Sequence, residues 1–248
     1  ASNAIPVLSI SYQAAASVLT KNITSYTELK NLPIGSYATD GQVRIVKETN
    51  QLESSNVIGV LEGTDKKEEY VVLTAHYDHL GKRGDVIFNG ADDDGSGTVS
   101  VIEMAEAFAE AKKKGKGPRR TIVFMTVSGE EKGLWGSEYY GDHPIYPLEK
   151  TTVNLNTDMV GRIDPSYKGD SLNYVFVIGE DKLSSDLLKI TDSINTHFKM
   201  ELDRRYNDPK DPNRFYYRSD HYNFAKKGVP IIFYFNGVHK DYHRESDT

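Results

Sequence analysis

Histidines and carboxylates recur in this chain where a metal could use them. His76 and Asp78 are separated by one residue, and Asp92, Asp93 and Asp94 follow a short glycine-containing loop. Glu130 and Glu131 are adjacent, Asp158 stands alone, and His239 and His243 lie near the end of the chain. Imidazole and carboxylate together are zinc-type ligands, and consecutive carboxylates repel one another unless water or a cation neutralises them. Taken alone, the Asp triplet before Gly95 reads as a solvated acidic turn. The His-x-Asp upstream, at the end of an apolar run, shifts the reading to a metal.

The elements that must position these groups are legible in the apolar pattern. Tyr70 to Ala75 is a short β-branched run that reads as a buried strand delivering His76. Thr121 to Val127 precedes the glutamate pair, Thr152 to Thr157 precedes Asp158, and Val229 to Phe235 precedes the final histidines. Four separate strand ends therefore carry metal-type residues, and that convergence argues for one site. Between the strands, Gly97 to Lys113 places Val101, Ile102, Ala105, Phe108 and Ala109 at helical spacing. Leu183 to Phe198 reads as a helix using Leu187, Ile190 and Ile194, and Ser219 as the cap of a short helix ending at Gly228. Tyr174 to Ile178 is a further strand, and residues 206–218 a long ordered loop of the kind that serves binding.

Strands alternating with helices predict a single α/β domain, with a mixed, largely parallel sheet covered by helices on both faces. Ligands of such sheets gather at the carboxyl ends of the strands. The amino-terminal part, with strands over Ile5 to Ser11, Gln42 to Thr49 and Asn56 to Leu61 and a helix over Tyr12 to Thr20, carries no chemistry. The last two of those strands read as a hairpin through residues 50–55 at the sheet edge.

Composition narrows the classes. The 248 residues carry 30 Lys plus Arg against 36 Asp plus Glu, a formal charge of −6, which argues against a nucleic-acid binder. No segment approaches the ~18 apolar residues of a membrane span. With no cysteine, any metal must be held by nitrogen and oxygen. His76, one of Asp92 to Asp94, one of Glu130 and Glu131, Asp158, and one of His239 and His243 make more ligands than one tetrahedral zinc with an open position uses. A bridging carboxylate would let them serve two ions, with the spare glutamate as general base.

The segments AHYDHLG, GADDDGSGT, SGEEKGLWGSEYY, NTDMVG, SDHYNFAKKGVP and DYHRESDT resemble, in order, the signatures of metallopeptidase family 28. These are di-zinc exopeptidases that include bacterial leucyl-type aminopeptidases and glutamate carboxypeptidases. The resemblance implies that His76 and Asp158 bind one zinc, Glu131 and His243 the other, and that Asp92 bridges them. It implies Glu130 as general base, Asp78 as the carboxylate orienting His76, and Tyr216 as a donor to the tetrahedral intermediate. His79 receives no ligand role, and His143, His197 and His221 read as structural or solvent-facing. Trp135, Tyr139 and Tyr140 read as helix residues packing on the sheet.

The implied activity is removal of amino-terminal residues from peptides. The rivals are a carboxypeptidase, for which Arg162, Arg205 or Arg218 would hold the substrate carboxylate, a single-zinc glutaminyl cyclase, and a non-catalytic receptor-like binding module. Residues 62–248 form the motif-bearing core. Residues 1–61 faintly resemble the end of a protease-associated insert domain, and with no initiator Met the chain reads as a fragment of a longer protein, secreted or periplasmic.

Overall fold

The computed structural model describes residues 9–19, 23–37, 49 and 51–248. The chain divides into two compact units, Ala1–Leu52 and Glu53–Thr248. The strand Val57–Leu61, which precedes the motif-bearing residues, belongs to the sheet of the second unit. In the first unit the helices α1 (Tyr12–Val18) and α2 (Tyr26–Lys30) are each capped by a serine: Ser11 Oγ accepts from Ala14 N at 3.2 Å and Ser25 Oγ from Glu28 N at 3.2 Å. The strand expected over Gln42 to Thr49, and with it the hairpin, lies outside the described residues, as does most of Ile5 to Ser11.

The second unit is built on a seven-stranded sheet of β1 (Val57–Leu61), β2 (Lys66–His76), β5 (Arg120–Val127), β6 (Thr151–Thr157), β7 (Tyr174–Ile178), β8 (Glu201–Asp203) and β9 (Ile231–Phe235). Their order is β1-β5-β2-β6-β9-β7-β8, and β3 (Gly81–Arg83) with β4 (Val86–Phe88) makes a separate small hairpin. Strands β5, β2, β6 and β9 run parallel at the centre, while β1 and the β7–β8 pair are antiparallel to their inner neighbours. The sheet is thus mixed and largely parallel, as the alternation predicts.

Burial on both faces explains the sequence of the central strands. Along β2, Val72 packs with Val123, Met125, Tyr140, Phe224 and Ile231, whereas Leu73 and Ala75 pack with Val101, Ile122 and Phe124. Successive side chains of a strand face opposite ways, so one face is covered by α4 (Trp135–Asp142) and α6 (His221–Lys226) and the other by α3 (Gly97–Lys113). Helix α5 (Leu187–Phe198) reaches the same face as α3 through Leu187, which packs with Val175, Val177 and Ile232. It begins four residues later than the periodicity predicts, and Ile190 and Ile194 stay about half exposed rather than serving as core. Of the three α4 aromatics only Tyr140 is buried, while Trp135 and Tyr139 face outward, against the expectation that all three pack on the sheet.

The parallel arrangement puts four carboxyl ends on one edge. Chain segments leave it after His76, after Val127 toward Glu130, after Thr157 into Asp158, and after Phe235 toward His239 and His243. Helix α3 starts beside them with no room to spare at Gly97. A Cβ there would come within 2.3 Å of Asp94 Oδ1 and 2.5 Å of the Thr157 carbonyl. Gly97→Ala is expected to lower unfolding stability by about 1–3 kcal/mol, the usual cost of overpacking. Chemical denaturation reads it as a lower midpoint, and a wild-type midpoint would contradict this packing.

Candidate metal centre

The acidic stretch enters the site as a distorted turn over Ala91–Ser96, in which Asp93 and Asp94 leave helical backbone geometry. Its three carboxylates therefore point in three directions. Asp94 turns inward and is met by three main-chain donors: His76 N at 3.0 Å, Gly97 N at 2.9 Å and Met159 N at 3.1 Å. Burial, with Asp158 nearby, raises its pKa well above the ordinary carboxylate value. Asp92 accepts from Gly161 N at 2.7 Å and lies 3.1 Å from His239 Nε2. Asp93 alone faces the cleft.

Asp93 is shared by two groups of side chains. One oxygen lies 3.2 Å from His76 Nε2, which is also 3.7 Å from Asp158 Oδ2. The other lies 3.1 Å from His243 Nε2, itself 3.2 Å from Glu131 Oε2. His79 closes the second group, with Nδ1 2.9 Å from Glu131 Oε1. The ligand atoms of His76, Asp93 and Asp158, and separately those of His79, Asp93 and Glu131, lie within 4.8 Å of one another. Contacts with His243 and His76 hold Asp93 below the usual carboxylate range although burial acts the other way, while Asp93 and Glu131 raise His243 to about 10.

The main chain sets the tautomer of His76. Its Nδ1 is 2.9 Å from the carbonyl oxygen of Asp78, and a carbonyl can only accept. Nδ1 therefore carries a proton, which leaves Nε2, turned toward Asp93 and Asp158, as the nitrogen that would bind a metal. The Asp78 carboxylate stands farther off, 3.7 Å from Nδ1, and accepts instead from Glu130 N at 3.1 Å. Asp78 thus orients His76 mainly through its backbone, where the sequence assigned that task to its carboxylate.

The donor set fits divalent cations. His76 Nε2, His79 Nδ1, Asp93 Oδ2 and Glu131 Oε1 are buried polar atoms without a hydrogen-bond partner. Leaving such atoms unsatisfied costs roughly 1–3 kcal/mol each. A cation seated between nitrogen and oxygen donors removes that cost, and zinc accepts this mixture.

A model of peptidase family M28 matches residues 56–248. The chain belongs to peptidase family M28. Aminopeptidase YwaD of Bacillus subtilis is 40% identical over 115 residues, 46% of this chain and 23% of that one. A probable glutamate carboxypeptidase, LAMP1 of Arabidopsis thaliana, is 32% identical over 155 residues, 62% of this chain and 22% of the relative. Among solved structures, BSAP, a zinc aminopeptidase from Bacillus subtilis, superposes with a TM-score of 0.58 at 26% identity, covering 78% of this chain and 44% of that one. The M28 chain spans a quarter or less of the length of these curated relatives.

Within the M28 fold, His76, Glu130, Glu131, Asp158 and His243 come together as the motifs predict, and Asp92 does not. The place between the two groups belongs to Asp93, because the turn rotates the preceding carboxylate toward Gly161 and His239. Tyr216 is a second correction. Its ring packs between two core clusters and lines a separate cavity with Tyr206, Arg214 and Tyr217. The tyrosine at the cleft is Tyr242, which stacks on His243 with ring centroids 3.9 Å apart and whose hydroxyl lies 3.3 Å from Arg218 Nη2.

Sequence reasoning also passed over His79 and Ser219. His79, expected as a supporting or loop residue without a ligand role, has its side chain buried against Glu131. Ser219, expected as a helix cap, donates to Asp158 Oδ2 at 2.7 Å, and Asp220 takes the cap position. Their positions inside the AHYDHLG and SDHYNFAKKGVP segments were the available signal. His221 is structural: it stacks on Phe233 at 4.5 Å, and burial lowers its pKa to about 3.

Asp94→Ala would strand three buried N–H groups, so we expect a stability loss of at least about 3 kcal/mol in denaturant titration. A loss under about 1 kcal/mol would show that Asp94 is not what holds the turn.

Proposed function

We propose that the chain is the catalytic unit of an aminopeptidase that binds two zinc ions and removes amino-terminal residues from peptides. The observation that carries the reading is Asp93, one carboxylate flanked on each oxygen by its own histidine and acidic partner. His76 and Asp158 would hold one ion, Glu131 and His243 the other, and Asp93 both. So placed, the pair would supply Lewis acidity at the scissile carbonyl and lower the pKa of a water.

The remaining work falls to side chains that line the cleft. Glu130 has an oxygen 3.9 Å from His76 Nε2, and its main chain is held by Asp78. Burial and the charge of Asp158 push its carboxyl up to about 9 in the absence of a cation. Positive charge nearby would bring it down toward the range of a group that takes a proton from water and returns it to the departing amine. Burial, then Asp93, keeps the Tyr242 hydroxyl protonated well above its ordinary range; it accepts from Arg218 Nη2, which leaves its own proton to donate to the carbonyl oxygen. Met159, Phe215, Phe235 and Val238 add an apolar wall suited to an apolar first residue.

A carboxypeptidase is the second reading, and Arg218 favours it. Arg162 is paired with Asp241 at 2.8 Å and Arg205 with Asp203 at 2.5 Å, whereas Arg218 lines the cleft with no carboxylate partner among the described residues. As for location, among the described residues no helix is long and apolar enough to cross a membrane. Work outside the cytoplasm, secreted or periplasmic, is part of our proposal and rests on the family resemblance.

Short peptides with free and acetylated amino termini separate the two readings by mass spectrometry. We expect chelator-sensitive loss of single amino-terminal residues from the free peptides alone, and trimming of blocked peptides from the carboxyl end would overturn the first reading. Glu130→Gln should keep its zinc and lose about 10²–10⁴-fold in kcat. Tyr242→Phe should lose about 10²-fold or more while Tyr216→Phe stays near wild type, and the reverse order would return the oxyanion role to Tyr216.

A further inference from the structure

A line of polar residues crosses the hydrophobic interior behind the metal centre. Asn154, Thr74, Asn156 and Ser219 are all at most 1% exposed, on the face of the sheet that α4 and α6 cover. Buried polar side chains are costly unless paired, and these are paired in series, with Asn154 Oδ1 at the far end left without a partner. Asn154 Nδ2 donates to Thr74 Oγ1 at 2.9 Å, and Thr74 Oγ1 to Asn156 Oδ1 at 2.6 Å. Asn156 Nδ2 donates to Ser219 Oγ at 2.9 Å, and Ser219 Oγ to Asp158 Oδ2 at 2.7 Å.

The direction of this series is determined at its far end. Asn154 Nδ2 also donates to the Val72 carbonyl at 3.3 Å, and a backbone carbonyl can only accept. The amide nitrogen of Asn154 must therefore lie toward Val72 and Thr74. Thr74 receives one proton, so its own single hydroxyl proton must go forward to Asn156. That contact in turn fixes which end of the Asn156 amide is oxygen, and the nitrogen is left to face Ser219. Ser219, accepting from Asn156, has only Asp158 to donate to. A reversed Asn156 would instead take the serine proton onto its own oxygen and leave Asp158 without it.

We propose that Thr74, with Asn154 and Asn156, is a positioning residue for the metal centre: the hydrogen-bond series sets the orientation of Ser219 and so holds Asp158 at the ion shared with His76. Thr74 lies two residues before His76 on β2 and its side chain points into the core, so it acts on the ion only through this series. The proposal rests on the reading of His76, Asp93 and Asp158 as zinc ligands. Partners of ligating groups typically change metal affinity by about 10–100-fold when removed.

The test is a zinc titration in competition with a chromophoric chelator on wild type, Thr74→Val, Thr74→Ser, Ser219→Ala and the Thr74→Val/Ser219→Ala double variant. Circular dichroism monitors folding. Valine keeps the shape of threonine and lacks the proton. Thr74→Val should weaken one zinc, the ion of His76 and Asp158, by about tenfold or more, and Thr74→Ser should restore it. Because both residues act in one series, the double variant should bind as Ser219→Ala does. A Thr74→Val protein that binds as wild type, or losses that multiply in the double variant, would overturn the positioning role while leaving the metal centre standing. Wild type that binds no zinc would overturn the centre itself and the positioning role with it. If valine prevents folding, Thr74→Ala is read in the same way.

Discussion

Mutual repulsion among buried carboxylates is the constraint on which this structure turns. Asp92, Asp93, Asp94 and Asp158 are buried at the carboxyl edge of four parallel strands, with Glu130 and Glu131 beside them. Two such charges 4 Å apart repel by about 4 kcal/mol even at a moderate effective dielectric, so the cluster survives only if each charge is met. Asp94 is met by main-chain N–H groups, Asp92 by Gly161 and His239, and Asp158 by Ser219. What remains is Asp93 with Glu131, His76, His79 and His243, where His76 Nε2, His79 Nδ1, Asp93 Oδ2 and Glu131 Oε1 are buried without a hydrogen-bond partner. The proposed pair of cations would balance that set.

The rest of the fold answers that need. Parallel strands bring four chain segments to one edge without any of them being adjacent in sequence, and helices on both faces keep water away from their flanks. The chain's end contributes directly, since Asp247 accepts from the main-chain nitrogens of Asp92 and Asp93 at 3.1 Å and so pins the acidic turn from outside. Residues about 155 positions apart are thereby held in one geometry. In the proposed mechanism Glu130 would carry the proton in the cleft and Tyr242 would be its donor.

Much of this was legible in the amino-acid sequence. Buried parallel strands read as unbroken apolar runs, so β2, β5, β6, β7 and β9 and the long helix α3 stood out, and with them the residues at their ends. The errors concern choices among neighbours. Asp92 and Asp93 have the same chemistry, and which one faces the cleft depends on the backbone angles of a distorted turn that no residue pattern encodes. Tyr216 packs against the core clusters while Tyr242 lines the cleft, a matter of tertiary packing. Ser219 reads as a local cap, yet the parallel sheet brings Asp158 and Asn156 within reach, so its proton goes to Asp158 and its oxygen accepts from Asn156. Helix α5 lost its expected core contacts because only Leu187 meets the sheet.

Anomalous diffraction at the zinc edge, from crystals grown with zinc, measures the central claim most directly. The account predicts two ions, roughly 3.5–4 Å apart, with the Asp93 carboxylate between them and Asp92 turned toward His239. A single ion held by His76 and Asp158, or a pair bridged by Asp92, would contradict it.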